Sequence, residues 1–258
     1  MKALLAASLL LLTCLATPLF AQDWAKARLE ASPRHGEWVT IPQGSREVRA
    51  FIVYPEVKDK APAVLVIHEI FGLTDWVRGV CDQLAALGYI AISPDLLSGQ
   101  TIGDVDAARS AIGQLSPDQV TADLRAVAAY VRKLPAANGR LAVVGFCWGG
   151  GQAFRFATNE PELSSAFVFY GPGPDAADLA RIQAPVYGFY AENDARIGAT
   201  LPGTTAEMRA TGKTFEPVTY PGAGHGFMRA GEAPDATAPN RDARAAAWKR
   251  LQSLLEKI

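Results

Sequence analysis

Five consecutive residues carry the strongest chemical signal in the chain: Gly145-Phe146-Cys147-Trp148-Gly149, with Gly150 and Gly151 following. The pattern is glycine, any residue, nucleophile, any residue, glycine. It follows an apolar run that reads as a strand and opens a stretch that reads as a helix. So tight a turn holds its central residue in a strained backbone conformation, and the flanking glycines remove side chains that would clash. Cys147 then stands at a helix N-terminus, where unpaired N–H groups and the helix dipole favour thiolate. The N–H of Trp148 points into the same space and can donate to an oxyanion. The chemistry implied is acyl transfer by a sulfur nucleophile. The competing reading is a small buried cysteine in a glycine-rich turn.

A nucleophile on such a turn needs a histidine further along the chain and an acid between the two. The histidines are His35, His68 and His225, and only His225 lies beyond Cys147. It stands in Pro221-Gly222-Ala223-Gly224-His225-Gly226-Phe227, after the last expected strand. His35 precedes the sheet and reads as a surface residue. The acid is sought in Ala191-Glu192-Asn193-Asp194, just past the strand expected at 186–190. Asp194 is preferred, because a side chain deeper in the loop can turn back and fix the imidazole tautomer. Glu192 is the second choice and reads as a solvated charge.

The elements that must position these residues alternate between buried strands and amphipathic helices, which predicts a mainly parallel sheet of about eight strands in one doubly wound α/β domain over residues 22–258. Residues 37–41 and 46–54 read as an opening hairpin. Strands are expected at 63–68, 89–93, 141–145, 166–170, 186–190 and 214–220. The run at 63–68 is continuously apolar, as in a strand buried on both faces. Helices are expected at 76–87, 106–115, 117–133, 149–159, 202–211 and 238–257, with Ser116 capping and Pro117 in a first turn. Cys81 falls on the helix at 76–87 and reads as a buried thiol rather than a bridge to Cys147. Phe146, Trp76 and Trp148 read as packing residues, Trp148 also as a pocket wall.

With 25 basic and 26 acidic residues among 258, the chain has a formal net charge of −1. No basic face or like-charge run exists for nucleic acid to use. Residues 1–21 differ from the rest: a positive start at Met1-Lys2, an apolar run over 3–16, Pro18, then Leu19-Phe20-Ala21. This reads as a signal peptide cut after Ala21, which predicts a periplasmic or secreted protein with no membrane span left in the mature chain. Leu19 fits the small-residue rule poorly, so the cut is placed to within a residue or two. An uncleaved anchor is the alternative. Lipid attachment at Cys14 is disfavoured, because Thr13 precedes it where a small residue is expected.

Taken together, His68-Glu69-Ile70-Phe71-Gly72 at a strand end, the cysteine turn, an acid 47 residues after Cys147 and His225 31 residues after Asp194 resemble the dienelactone hydrolase family. The resemblance runs from about Arg46 to the C-terminus. It implies an α/β-hydrolase fold, a Cys147–His225–Asp194 triad, and no metal or cofactor. It further implies that Glu69 partners the nucleophilic thiol and that the Ile70 N–H completes an oxyanion hole with Trp148. A carboxylate beside Cys147 disfavours a resting thiolate by like-charge repulsion, and a protonated thiol resists oxidation. Substrate binding is then expected to move Glu69 into position to take the proton. The other reading of Glu69 is a helix cap or a partner for an arginine. An arginine four residues past the histidine binds a substrate carboxylate in this family, which points to Arg229. Arg109 is a second candidate by region only, since residues 99–113 match no motif.

The reading is therefore a hydrolase that opens a small ester or lactone through a thiol ester; a carboxylate on the substrate, where there is one, would meet Arg229. The alternatives are a non-enzymatic ligand-binding protein on the same fold, or another acyl-transfer enzyme such as a transferase or peptidase. A small-molecule partner and a monomer are expected.

Overall fold

The computed structural model describes residues 22–258. The expected signal peptide, residues 1–21, lies outside the described residues. Within them, one eight-stranded sheet has the order β1-β2-β4-β3-β5-β6-β7-β8. Strands β1 (Gly36–Gln43) and β2 (Arg46–Val53) form the expected antiparallel hairpin. Strand β2 pairs antiparallel with β4 (Ile90–Pro94). Every later pairing is parallel, through β3 (Ala61–Ile67), β5 (Ala137–Phe146), β6 (Ser165–Phe169), β7 (Val186–Asn193) and β8 (Phe215–Gly224).

Strand β3 shows why the runs are uniformly apolar. Side chains alternate faces along a strand, and both faces of this sheet are covered. Ala63, Leu65 and Ile67 enter one core layer, Val64 and Val66 the other. The first layer is closed by Val120, Leu124, Val127 and Val131 of α4 (Pro117–Arg132) and by Ala153, Phe154 and Phe156 of α5 (Trp148–Ala157). The second is closed by Trp76, Val77, Val80 and Leu84 of α2 (Asp75–Ala86) and by Ala243, Ala247 and Leu251 of α10 (Ala238–Leu255). Cys81 is fully buried in this second layer and carries a free thiol, as read from the sequence.

Some elements differ from the expectations. Helix α1 (Asp23–Glu30) was not foreseen, because its apolar residues lack helical spacing; it is held by Ala25, buried in the second core layer. Helix α3 (Val105–Gly113) starts and ends earlier than expected, with the Asp104 side chain accepting from the Ala107 N–H at 2.8 Å. Three single-turn helices, α6 (Ala176–Leu179), α7 (Ala195–Gly198) and α9 (Phe227–Ala230), were too short to leave a periodic signal. Helix α8 (Leu201–Ala210) matches its prediction within a residue at each end. Strand β8 runs four residues beyond the expected end, past a register shift against β7 between Ala191 and Asn193. Among the described residues, no helix is long and apolar enough to cross a membrane.

Candidate active site

Four parallel strands end within a few residues of Glu69, Ile70, Cys147, Asp194 and His225. Strand β3 stops at Ile67, just before Glu69 and Ile70. Strands β5, β7 and β8 stop at Phe146, Asn193 and Gly224, each one residue before Cys147, Asp194 and His225. Carboxyl ends of parallel strands lie along one edge of a sheet, where α/β proteins bind their ligands. The fold thereby gathers residues up to 156 positions apart in the chain, from Glu69 to His225.

Cys147 occupies φ 58°, ψ −118°, a region that residues with a side chain rarely adopt. Its neighbours permit this. A Cβ on Gly145 would lie 1.9 Å from the Gly149 carbonyl oxygen, and one on Gly149 would lie 2.4 Å from the carbonyl oxygens of Ile67 and His68. The Cys147 N–H donates to the Phe169 carbonyl at 3.0 Å, which ties the turn to β6.

His225 Nε2 lies 3.1 Å from Cys147 Sγ, and its Nδ1 lies 2.5 Å from Asp194 Oδ2. Asp194 is buried, and its other oxygen caps α7 by accepting from the Ile197 N–H at 3.4 Å. Glu192 is exposed and points elsewhere: its carboxylate accepts the Gly222 N–H at 2.8 Å, while the Asn193 side chain donates to the Gly222 carbonyl at 3.0 Å. These two residues grip the strand that carries His225. Asn240 also positions it, accepting the Gly224 N–H at 2.9 Å, and Tyr170 meets the imidazole edge-on at 5.1 Å.

The backbone N–H groups of Trp148 and Ile70 both donate toward Cys147 Sγ, and so define a pair of donors at one point. They do not make the sulfur a resting thiolate. Burial, then the negative charge of Glu69, push the thiol up to about 11, against the opposing pull of the two N–H groups. The helix-terminus argument taken alone points the other way, whereas the repulsion expected from Glu69 has the observed direction, and desolvation is the larger cause.

The Glu69 side chain makes no hydrogen bond to the sulfur. Its buried carboxylate accepts from Arg229 Nε at 2.7 Å, and the Arg229 guanidinium lies over the Phe71 ring at 5.2 Å. Of the two readings of Glu69, the arginine partner describes the resting arrangement, and the two residues given separate tasks are partners. The charge of Glu69 keeps the Arg229 guanidinium firmly protonated. Arg109 is 69% exposed on α3 and lies 3.5 Å from Asp106. It stands with Val105 and Ile112 along a cavity of about 830 Å³ that reaches Cys147, Trp148, Tyr170 and His225. Arg196 lines the same cavity and was missed. It is exposed, has no ion pair among the described residues, and its charge favours thiolate at Cys147. Its only sequence signal was its position two residues past Asp194.

Fold and site together define the class: an α/β-hydrolase with cysteine at the strained strand-to-helix turn. Comparison narrows this. Residues 48–258 match the dienelactone hydrolase family, and the chain belongs to that family of hydrolases. It is 34% identical over 234 residues to a protein of Methylorubrum extorquens named as a carboxymethylenebutenolidase, covering 83% of this chain and 78% of that one. A similarly named Escherichia coli K12 protein is 32% identical over 210 residues, covering 74% of this chain and 76% of the other. A crystal structure described as a dienelactone hydrolase of Klebsiella pneumoniae superposes with TM-score 0.79 at 27% identity, covering 87% of this chain and 99% of that one.

Proposed function

We propose that the protein hydrolyses a small ester or lactone through a thiol ester on Cys147. The observation that carries this reading is the line Sγ–imidazole–carboxylate at 3.1 and 2.5 Å, with the N–H groups of Ile70 and Trp148 at its head. A substrate carboxylate competes with Glu69 for Arg229. Glu69, released, takes the thiol proton. The sulfur attacks the carbonyl carbon, and the oxyanion is held by the two N–H groups. The carbon–oxygen bond breaks, and the proton on Glu69 leaves with the alcohol oxygen. His225, oriented by Asp194, then takes a proton from water. The hydroxide attacks the thiol ester, the acid departs, and His225 returns the proton to sulfur. Before substrate arrives, the protonated thiol is a poor target for oxidants.

The test is a burst of nitrophenol from a nitrophenyl ester whose acyl chain carries a carboxylate, abolished by prior alkylation with iodoacetamide. Tight binding of the ester without a burst would instead mean a binding protein. Acyl product only with an added alcohol or amine would mean a transferase. The same proposal puts the enzyme outside the cytoplasm, after removal of residues 1–21; N-terminal sequencing of exported protein should begin at or near Gln22, and an intact Met1 would refute it.

A further inference from the structure

His68 is fully buried beside the site, between β3 and the peptide of Glu69. Its two ring nitrogens face different partners. The Leu96 N–H donates to Nε2 at 3.3 Å, so Nε2 carries no proton. The proton therefore sits on Nδ1, which lies 2.6 Å from the Glu69 carbonyl oxygen and donates to it. Burial pulls the imidazole down from its ordinary pKa, against the nearby charge of Asp95, and keeps this neutral tautomer.

The Glu69 carbonyl and the Ile70 N–H belong to one planar peptide unit and point in opposite directions. A donor on the carbonyl side thus fixes where the N–H points, and it withdraws charge from the amide so that the N–H donates more strongly. On the far side of that peptide stands the Cys147 sulfur. The His68 ring also stacks on the Trp148 indole at 5.6 Å and 28°, so it meets both the Glu69–Ile70 peptide and the side chain of the second donor residue. The backbone is held as well: a side chain on Gly149 would collide with the His68 carbonyl.

We propose that His68 is the positioning residue of the oxyanion site, its Nδ1–H orienting and polarising the peptide whose other end, the Ile70 N–H, meets the developing negative charge. This deepens the hydrolytic reading and rests on it. His68 touches no reacting atom. Its main effect is on the steps in which charge grows on oxygen, acylation and hydrolysis of the thiol ester.

That preference gives the test. Acylation by a nitrophenyl ester uses the oxyanion site, whereas alkylation of Cys147 by iodoacetamide forms no oxyanion. Removing one oxyanion donor outright costs about 100- to 1000-fold, so weakening one predicts a loss of about 10- to 100-fold. In His68→Leu, acylation should fall by that factor with little change in KM, while alkylation falls several-fold less, because the Ile70 N–H gives the thiolate only part of its support. His68→Asn, whose amide can donate from the position of Nδ1, should recover most of the loss. Acylation and alkylation falling by the same factor, or neither falling, would overturn the role. Should His68→Leu fail to fold, ¹⁵N spectra of the unsubstituted protein decide the tautomer: a protonated Nδ1 and bare Nε2 are expected, and the reverse overturns the proposal. A parent enzyme with no burst sinks the hydrolytic reading and this role with it. A normal parent burst beside an unimpaired Leu variant sinks this role alone.

Discussion

Arg229 Nε lies 2.7 Å from Glu69 Oε2, in the wall of the cavity that holds the thiol. The carboxylate is nearly fully buried and the guanidinium three-quarters so. The pair neutralises Glu69 locally, yet Glu69 still helps hold the Cys147 thiol protonated. A carboxylate-bearing substrate that engages Arg229 would change both conditions together.

Glu69→Gln should therefore move two rates in opposite directions. Loss of the negative charge lowers the thiol pKa, and an unpaired Arg229 lowers it further. Alkylation by iodoacetamide at neutral pH should rise, while ester turnover falls for want of the proton acceptor. Unchanged values of both would remove Glu69 from the mechanism.

The pH dependence of alkylation in the unsubstituted enzyme follows from the same balance. The thiol, pushed up to about 11, is protonated at neutral pH, so thiolate grows as pH rises. Below that point the alkylation rate should climb about tenfold per pH unit. A plateau already reached near neutrality would show that the resting sulfur is ionised.

Arg229→Gln leaves a buried carboxylate without its partner, which costs about 3 kcal/mol or more. The melting temperature should drop, and Glu69→Gln added to it should restore part of the loss. Rates on carboxylate-bearing esters should fall more than on neutral ones. Equal losses on both substrate types would mean that Arg229 serves Glu69 and no substrate.

The two neighbouring acids should separate cleanly. Asp194→Asn disturbs the imidazole directly, and turnover should fall by about 100-fold or more. Glu192→Gln keeps an oxygen able to accept the Gly222 N–H, so turnover should hold within a few-fold. Parity between the two variants would contradict the assignment of the acid.

Two glycines offer a contrast in stability. Gly145→Ala drives a methyl to 1.9 Å from a backbone carbonyl, a clash that only a shift of the turn relieves. Stability should fall by about 4 kcal/mol or more, and Cys147 should lose its alignment. Gly203 is exposed in α8, and a methyl added there would meet nothing within 4 Å. Gly203→Ala should stabilise by about 0.5–1 kcal/mol in thermal unfolding.

Local chemistry made much of this protein legible in its sequence. Strand β3 had to be buried on both faces because seven residues, Ala61–Ile67, offer no polar side chain to solvent. The cysteine turn needed glycine at 145 and 149, since close approach of helix and strand leaves no room for a side chain. The order nucleophile, acid, histidine followed from where the parallel strands end. Three matters waited on the tertiary structure, each because it depends on distance between residues far apart in the chain. The sequence preferred Asp194 to Glu192 on loop position alone, and only the structure shows that Asp194 faces His225 while Glu192 turns to Gly222. The partnership of Glu69 with Arg229, 160 residues away, carries no trace in either local segment. At Cys147 the charge of Glu69 gave the direction of the shift from the sequence, but its main cause is burial, which belongs to the whole packed assembly rather than to the turn.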